Sequence, residues 1–174
     1  MQEIKLYKSL YKAIILLLGS TAFVVIGFFI KAENPFIAWL CIGFFGLGIF
    51  VGLFNLFDRR PQIIINEFGI YDRNTLKDFI NWELIYDAYL INIRSQKFVC
   101  LVIDEKYRPS NNKNKWYKLA AKLNEEIGAQ EMNISLGHID INAERFLEFI
   151  LKMNGGEVEI RSKLLEDGIK IFNI

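Results

Sequence analysis

His138 is the chain's only imidazole, and Cys41 and Cys100 are its only thiols. A zinc site built on His138 needs Cys, Asp or Glu partners, and only Asp140 lies near it in the sequence. Cys41 falls within a long apolar run and Cys100 within an apolar strand, so both read as small buried hydrophobes, not as nucleophiles or a disulfide pair. Asp104-Glu105 and Glu125-Glu126 pair carboxylates along the chain, but adjacent side chains diverge on a helix or a strand. No GxSxG, P-loop or dinucleotide fingerprint is present. These residues point away from an enzyme and imply neither cofactor nor metal.

One cluster has a different chemistry. Lys106, Arg108, Lys113, Lys115, Lys118 and Lys122 fall within seventeen residues that hold no carboxylate. Lys115, Lys118 and Lys122 share a helical face turned away from Leu119 and Leu123. Beside an anionic leaflet each cation is worth about 1 kcal/mol, so the run is a candidate membrane-surface contact. An ordinary solvated face and an acidic protein partner remain the alternatives. The whole chain carries 21 basic and 20 acidic side chains in 174 residues, a balance that argues against a nucleic-acid binder.

The apolar excess behind a mean hydropathy of +0.21 lies in the first third. Ala13 to Ile30 is an uncharged run of eighteen residues. As a helix it is about 27 Å long, close to the ~30 Å hydrocarbon core of a bilayer. Pro35 to Phe57 is a second uncharged run, of twenty-three residues, and only Lys31-Ala32-Glu33-Asn34 separates the two. So short a link joins antiparallel neighbours, and residues 1–57 read as a two-span transmembrane hairpin with a basic N-terminal flank. No small-x-small cleavage site follows the first run, which argues against a signal peptide. Lys5, Lys8 and Lys12 precede the hairpin and Arg59 and Arg60 follow it, so the positive-inside rule places both ends in the cytoplasm. On α-helical spacing Cys41, Phe45, Gly48, Gly52 and Asn55 share one face, and Gly48 and Gly52 form a GxxxG that admits close helix approach. The first span, a second copy and another membrane protein are all candidate occupants.

Residues 58–174 hold 17 basic and 18 acidic side chains and are long enough for one modest core. Strands are expected at Gln62–Asn66, from Ile70, at Phe79–Trp82, within Leu84–Arg94 and at Phe98–Ile103, the last continuous in apolar residues and central. Glu67-Phe68-Gly69 reads as a turn in which Gly supplies a cheap positive φ. Trp116, Leu119, Leu123 and Ile127 predict one helix, and Asn142 caps another through Phe146, Phe149, Ile150 and Met153. Glu166-Asp167-Gly168, between two short apolar runs, predicts a C-terminal hairpin tail.

Ile63-Ile64-Ile65-Asn66-Glu67-Phe68-Gly69-Ile70-Tyr71-Asp72, followed by Ile80-Asn81-Trp82-Glu83-Leu84-Ile85, resembles the opening strands of bacterial pleckstrin-homology-like domains. The whole arrangement looks like that of small, largely uncharacterised bacterial membrane proteins with a basic N-terminus, a two-span hairpin and such a domain. The resemblance implies a membrane hairpin plus an α+β fold, a partly open antiparallel barrel or sheet with two helices. It also implies a non-enzymatic binding or scaffolding platform, multi-pass in the bacterial cytoplasmic (inner) membrane. Its expected partners are the lipid bilayer with its anionic surface, an unknown protein and, as one occupant of the glycine face, a second copy. The other functional expectation is an immunity protein against an antibacterial toxin acting at the membrane.

Overall fold

The computed structural model describes residues 2–74, 78–107 and 128–172. The chain divides into two compact units, Lys8–Arg60 and a second made of Met1–Tyr7 with Pro61–Ile174.

The first unit is a pair of helices, α1 (Leu10–Ile30) and α2 (Pro35–Phe57), packed along each other. Pro35 opens α2, where its missing N–H would have had no helical partner. The backbone N–H of Asp58 donates to the Phe54 carbonyl and closes the last turn.

The second unit is an α+β assembly. One antiparallel sheet has the order β1 (Ile4–Leu6), β2 (Ile63–Ile65), β3 (Gly69–Asp72), β4 (Ile80–Asn81). A second has the order β5 (Ile85–Ile93), β6 (Gln96–Ile103), β7 (Met132–Ser135), so β6 is central as its continuous apolar run demands. Arg94 and Ser95, at φ of 48° and 67°, form the two-residue turn between β5 and β6, the geometry that suits the twist of paired strands. Helix α3 (Ala143–Gly155) packs on β5 and β6, and α4 (Val158–Ile171) packs on α3 and β1.

Several expectations are met and several are corrected. Asn142 does cap α3, its side chain accepting from the Arg145 N–H at 2.9 Å, and Phe146, Phe149, Ile150 and Met153 are buried as their spacing requires. Lys5, expected in the basic N-terminal flank, sits in a strand. It lies on the outward face of β1, 3.0 Å from Glu3, while Ile4 and Leu6 point into the core. Residues that precede the helical pair in the chain, Ile4–Leu6, thus pair with β2 in the sheet. Met132–Ser135 forms a further strand on the edge of the second sheet. Trp82 leaves its strand and opens a short 3-10 turn, Trp82–Leu84. The expected helix at Trp116–Ile127 lies outside the described residues.

The expected C-terminal hairpin is instead the helix α4. Arg161, Leu165 and Gly168 are its buried positions, spaced four and three apart on one face. Gly168 is a point of close packing: a methyl group there would lie 2.7 Å from Ile4 Cδ1 and 2.7 Å from Phe149 Cε2. Gly69 follows the same logic. Its backbone is not left-handed, but a side chain would run into the Ile80 carbonyl of the neighbouring strand.

A polar framework ties these elements together. The Asn66 side chain accepts from the N–H groups of Phe68 and Gly69, each at 3.0 Å, and shapes the β2–β3 turn. Trp82, fully buried, donates through Nε1 to the Asn66 carbonyl at 2.9 Å. Arg161 donates through Nε to the Met153 carbonyl at 3.0 Å in the last turn of α3, and through Nη1 to the Glu67 carbonyl at 3.4 Å. Asn66 and Trp82 are thus a turn and its lock.

Ile4→Ala should destabilise the full-length protein by about 2–5 kcal/mol, and Gly168→Leu by about 1–3 kcal/mol through overpacking. Both are read as a lower denaturation midpoint in detergent. Lys5→Ala, on the exposed face, should stay within about 0.5 kcal/mol of the wild type.

Candidate functional site

The chemically suggestive residues are dispersed. His138 is exposed in the turn that follows β7, and Asp140 is exposed beyond it. Among the described residues no three His, Cys, Asp or Glu side chains gather as a metal-binding group. Cys100 is buried on β6 opposite Tyr89, and burial pushes its thiol pKa up, away from the reactive thiolate. Asp104 accepts from the Lys106 N–H at 2.9 Å and from the Tyr86 hydroxyl at 2.9 Å. Those two bonds lower its pKa, and Tyr86 is raised in turn by the same carboxylate. The pair joins the end of β6 to Tyr86 on β5. Of the basic run only Lys106 is described; Arg108, Lys113, Lys115, Lys118 and Lys122 lie outside the described residues, as do Glu125 and Glu126.

The hairpin is where small-residue spacing becomes geometry. Ala13, Ser20 and Gly27 are the buried positions of α1, seven residues apart, and Ala38 and Gly52 are those of α2. All five positions of the expected α2 face meet α1 or its N-terminal approach. Cys41 lies against Gly27, Phe45 stacks on Phe23 with ring centres 4.3 Å apart, and Gly48 lies against Ser20. Gly52 lies against Leu17, where an added methyl group would meet three carbons of that residue at 3.2–3.3 Å. Asn55 accepts from Lys8 Nζ at 3.1 Å. Gly48 and Gly52 are therefore brought together with the first helix of the same chain. Gly27 was missed from the sequence, although the seven-residue recurrence of Ala13, Ser20 and Gly27 was there to find it.

The opposite faces carry large apolar side chains outward. Phe29, Phe44 and Phe50 are 80%, 71% and 72% exposed, and a methyl group built on Gly19, Gly43 or Gly46 would meet nothing within 4 Å. Both helices have the length and composition to cross a membrane. At the connecting loop Lys31 Nζ stands over the Trp39 ring, 4.9 Å from its centre, a cation–π contact that joins the two helix ends.

The chain matches no protein-family model, no curated protein and no solved structure.

Gly48→Leu should weaken the hairpin by about 1–3 kcal/mol, because the new side chain collides with Ser20. Gly43→Leu adds the same side chain into open space and should leave the melting temperature in detergent close to wild type. Equal melting of the two variants would show that the Gly48 seam contributes nothing.

Proposed function

We propose that the protein is a non-enzymatic, membrane-anchored binding or scaffolding module, in which α1 and α2 cross the cytoplasmic membrane of a bacterium and the α+β unit works on the cytoplasmic side. The observation that carries this reading is the outward apolar surface of the hairpin. Small residues fill the seam between the helices, while Phe29, Phe44 and Phe50 face outward and are largely exposed. In water that surface would be a large unpaid exposure; in hydrocarbon it is ordinary.

Two further features support the reading. β1 precedes the hairpin, β2 follows it, and the two are hydrogen-bonded in register. A hairpin whose two ends feed one sheet must have both ends on the same side of a bilayer. The Lys8, Lys12, Arg59 and Arg60 flanks favour the cytoplasmic side. The α+β unit is proposed to be pleckstrin-homology-like, on the strength of its antiparallel four- and three-stranded sheets followed by a packed helix. A platform of that kind works through shape and surface charge. The basic run from Lys106 to Lys122 remains the proposed contact with the anionic leaflet.

The test is topological. With Cys41 and Cys100 replaced, Ala32→Cys in the connecting loop should react with a membrane-impermeant maleimide in intact cells, and a C-terminal tag should stay protected until the cells are opened. Release of the protein by alkaline carbonate, or external access to the tag, would overturn the membrane-anchored reading. A secreted antibacterial toxin found as the crosslinked partner would turn the module into an immunity protein.

A further inference from the structure

We infer that the base of the hairpin holds a discrete site for one anionic phospholipid headgroup, built from Arg59 and Arg60 against Phe54 and Phe57. The inference rests on the proposal that the hairpin crosses a bilayer, and it concerns residues whose only role so far is to fix orientation.

The apolar run ends at Phe57 and the two arginines begin two residues later, so hydrocarbon-compatible and headgroup-compatible side chains adjoin at one helix end. Phe54, Phe57, Asp58, Arg59 and Arg60 line a single cleft there. Phe54 and Phe57 are 59% and 76% exposed and form walls suited to the glycerol and upper acyl region of a lipid.

The cation is held in place from behind. The Asp58 side chain is only 2% exposed, and its Oδ1 accepts from Arg60 Nε at 2.9 Å and from the Arg60 backbone N–H at 3.4 Å. Asp58 is itself fixed to the end of α2 through its N–H to Phe54. The Arg60 side chain, gripped by its Nε edge, stays 67% exposed. Its two terminal nitrogens form the planar fork that pairs with two oxygens of a phosphodiester. Pre-orientation by Asp58 lowers the ordering cost that a free arginine would bear on binding.

Charge selects the lipid class. Among the residues that line the cleft, two arginines outnumber the one carboxylate, so its lining is net positive. A phosphatidylglycerol-type headgroup, with one net negative charge, balances it. A zwitterionic headgroup brings an ammonium that the second arginine repels. Free phosphate has the anion but nothing for the phenylalanine walls.

The test uses the purified full-length protein in nanodiscs of phosphatidylcholine, with or without about 30% phosphatidylglycerol, and reads lipid retention by native mass spectrometry and the melting temperature. The wild type should retain phosphatidylglycerol and melt higher in its presence. Arg59→Gln/Arg60→Gln should lower that affinity by about tenfold or more. Arg60→Lys, which keeps the charge and loses the fork, should fall between the two. Lys152→Gln/Lys170→Gln, far along the chain, should match the wild type. Unchanged retention in the double arginine variant, an equal loss in the lysine control, or displacement by inorganic phosphate alone would overturn the site. Carbonate extraction separates the two ideas. A protein that resists extraction yet shows no arginine-dependent retention keeps its membrane hairpin and loses the headgroup site, whereas an extractable protein loses both.

Discussion

The pairing of β1 with β2 is the constraint on which the rest of the structure depends. Ile4, Lys5 and Leu6 lie opposite Ile65, Ile64 and Ile63, with the whole helical pair between the two strands in the chain. Closing so long a loop costs entropy that grows with the logarithm of its length. The hairpin reduces that cost by folding the intervening chain back on itself, and the seam of Ala13, Ser20, Gly27, Gly48 and Gly52 is what lets the helices pair tightly. The return on the sheet side is burial. Ile4 and Leu6 fill the core between Ile63, Ile65 and α4, each contributing about 1.5–3 kcal/mol. Gly168 completes the arrangement by leaving room for Ile4.

The second organising feature is polar. The β2–β3 turn, the 3-10 turn at Trp82 and the junction of α3 with α4 all leave backbone groups that need partners away from water. Asn66, Trp82 and Arg161 supply them in a chain of contacts: Asn66 holds the turn, Trp82 binds the Asn66 carbonyl, and Arg161 joins the neighbouring Glu67 carbonyl to the end of α3. Arg161 is 7% exposed, so its charge is stabilised by carbonyl oxygens that would otherwise lack donors. A motif that looks like a family signature is, in physical terms, the solution to this accounting.

Features with a strong local period were the legible ones. The two apolar runs, the alternation in β5, the continuous β6 and the Asn142 cap each show in a short window of sequence. The Gly48–Gly52 face was legible because helical spacing alone places Cys41, Phe45 and Asn55 beside it. β1 was not, since three residues among lysines offer too short an alternation, and a basic segment before an apolar run reads as a membrane flank. α4 was hidden by Glu166-Asp167-Gly168, which has turn composition but owes its glycine to the approach of Ile4 and Phe149. Tertiary packing overrode local propensity there. At the hairpin base, Arg59 and Arg60 were legible as charges, whereas the buried carboxylate that orients one of them was not.

The order of the strands also bears on synthesis. β1 leaves the ribosome first and has no partner until both helices and then β2 have followed. β2 and β3 are adjacent in the chain and can pair early, but β2 then keeps an unpaired edge, the kind of strand that recruits other chains. Only a nascent chain whose helices have come to rest with their ends together can seat β1 on that edge. The first few residues therefore close an edge that the sheet leaves open until both helices have been made and paired.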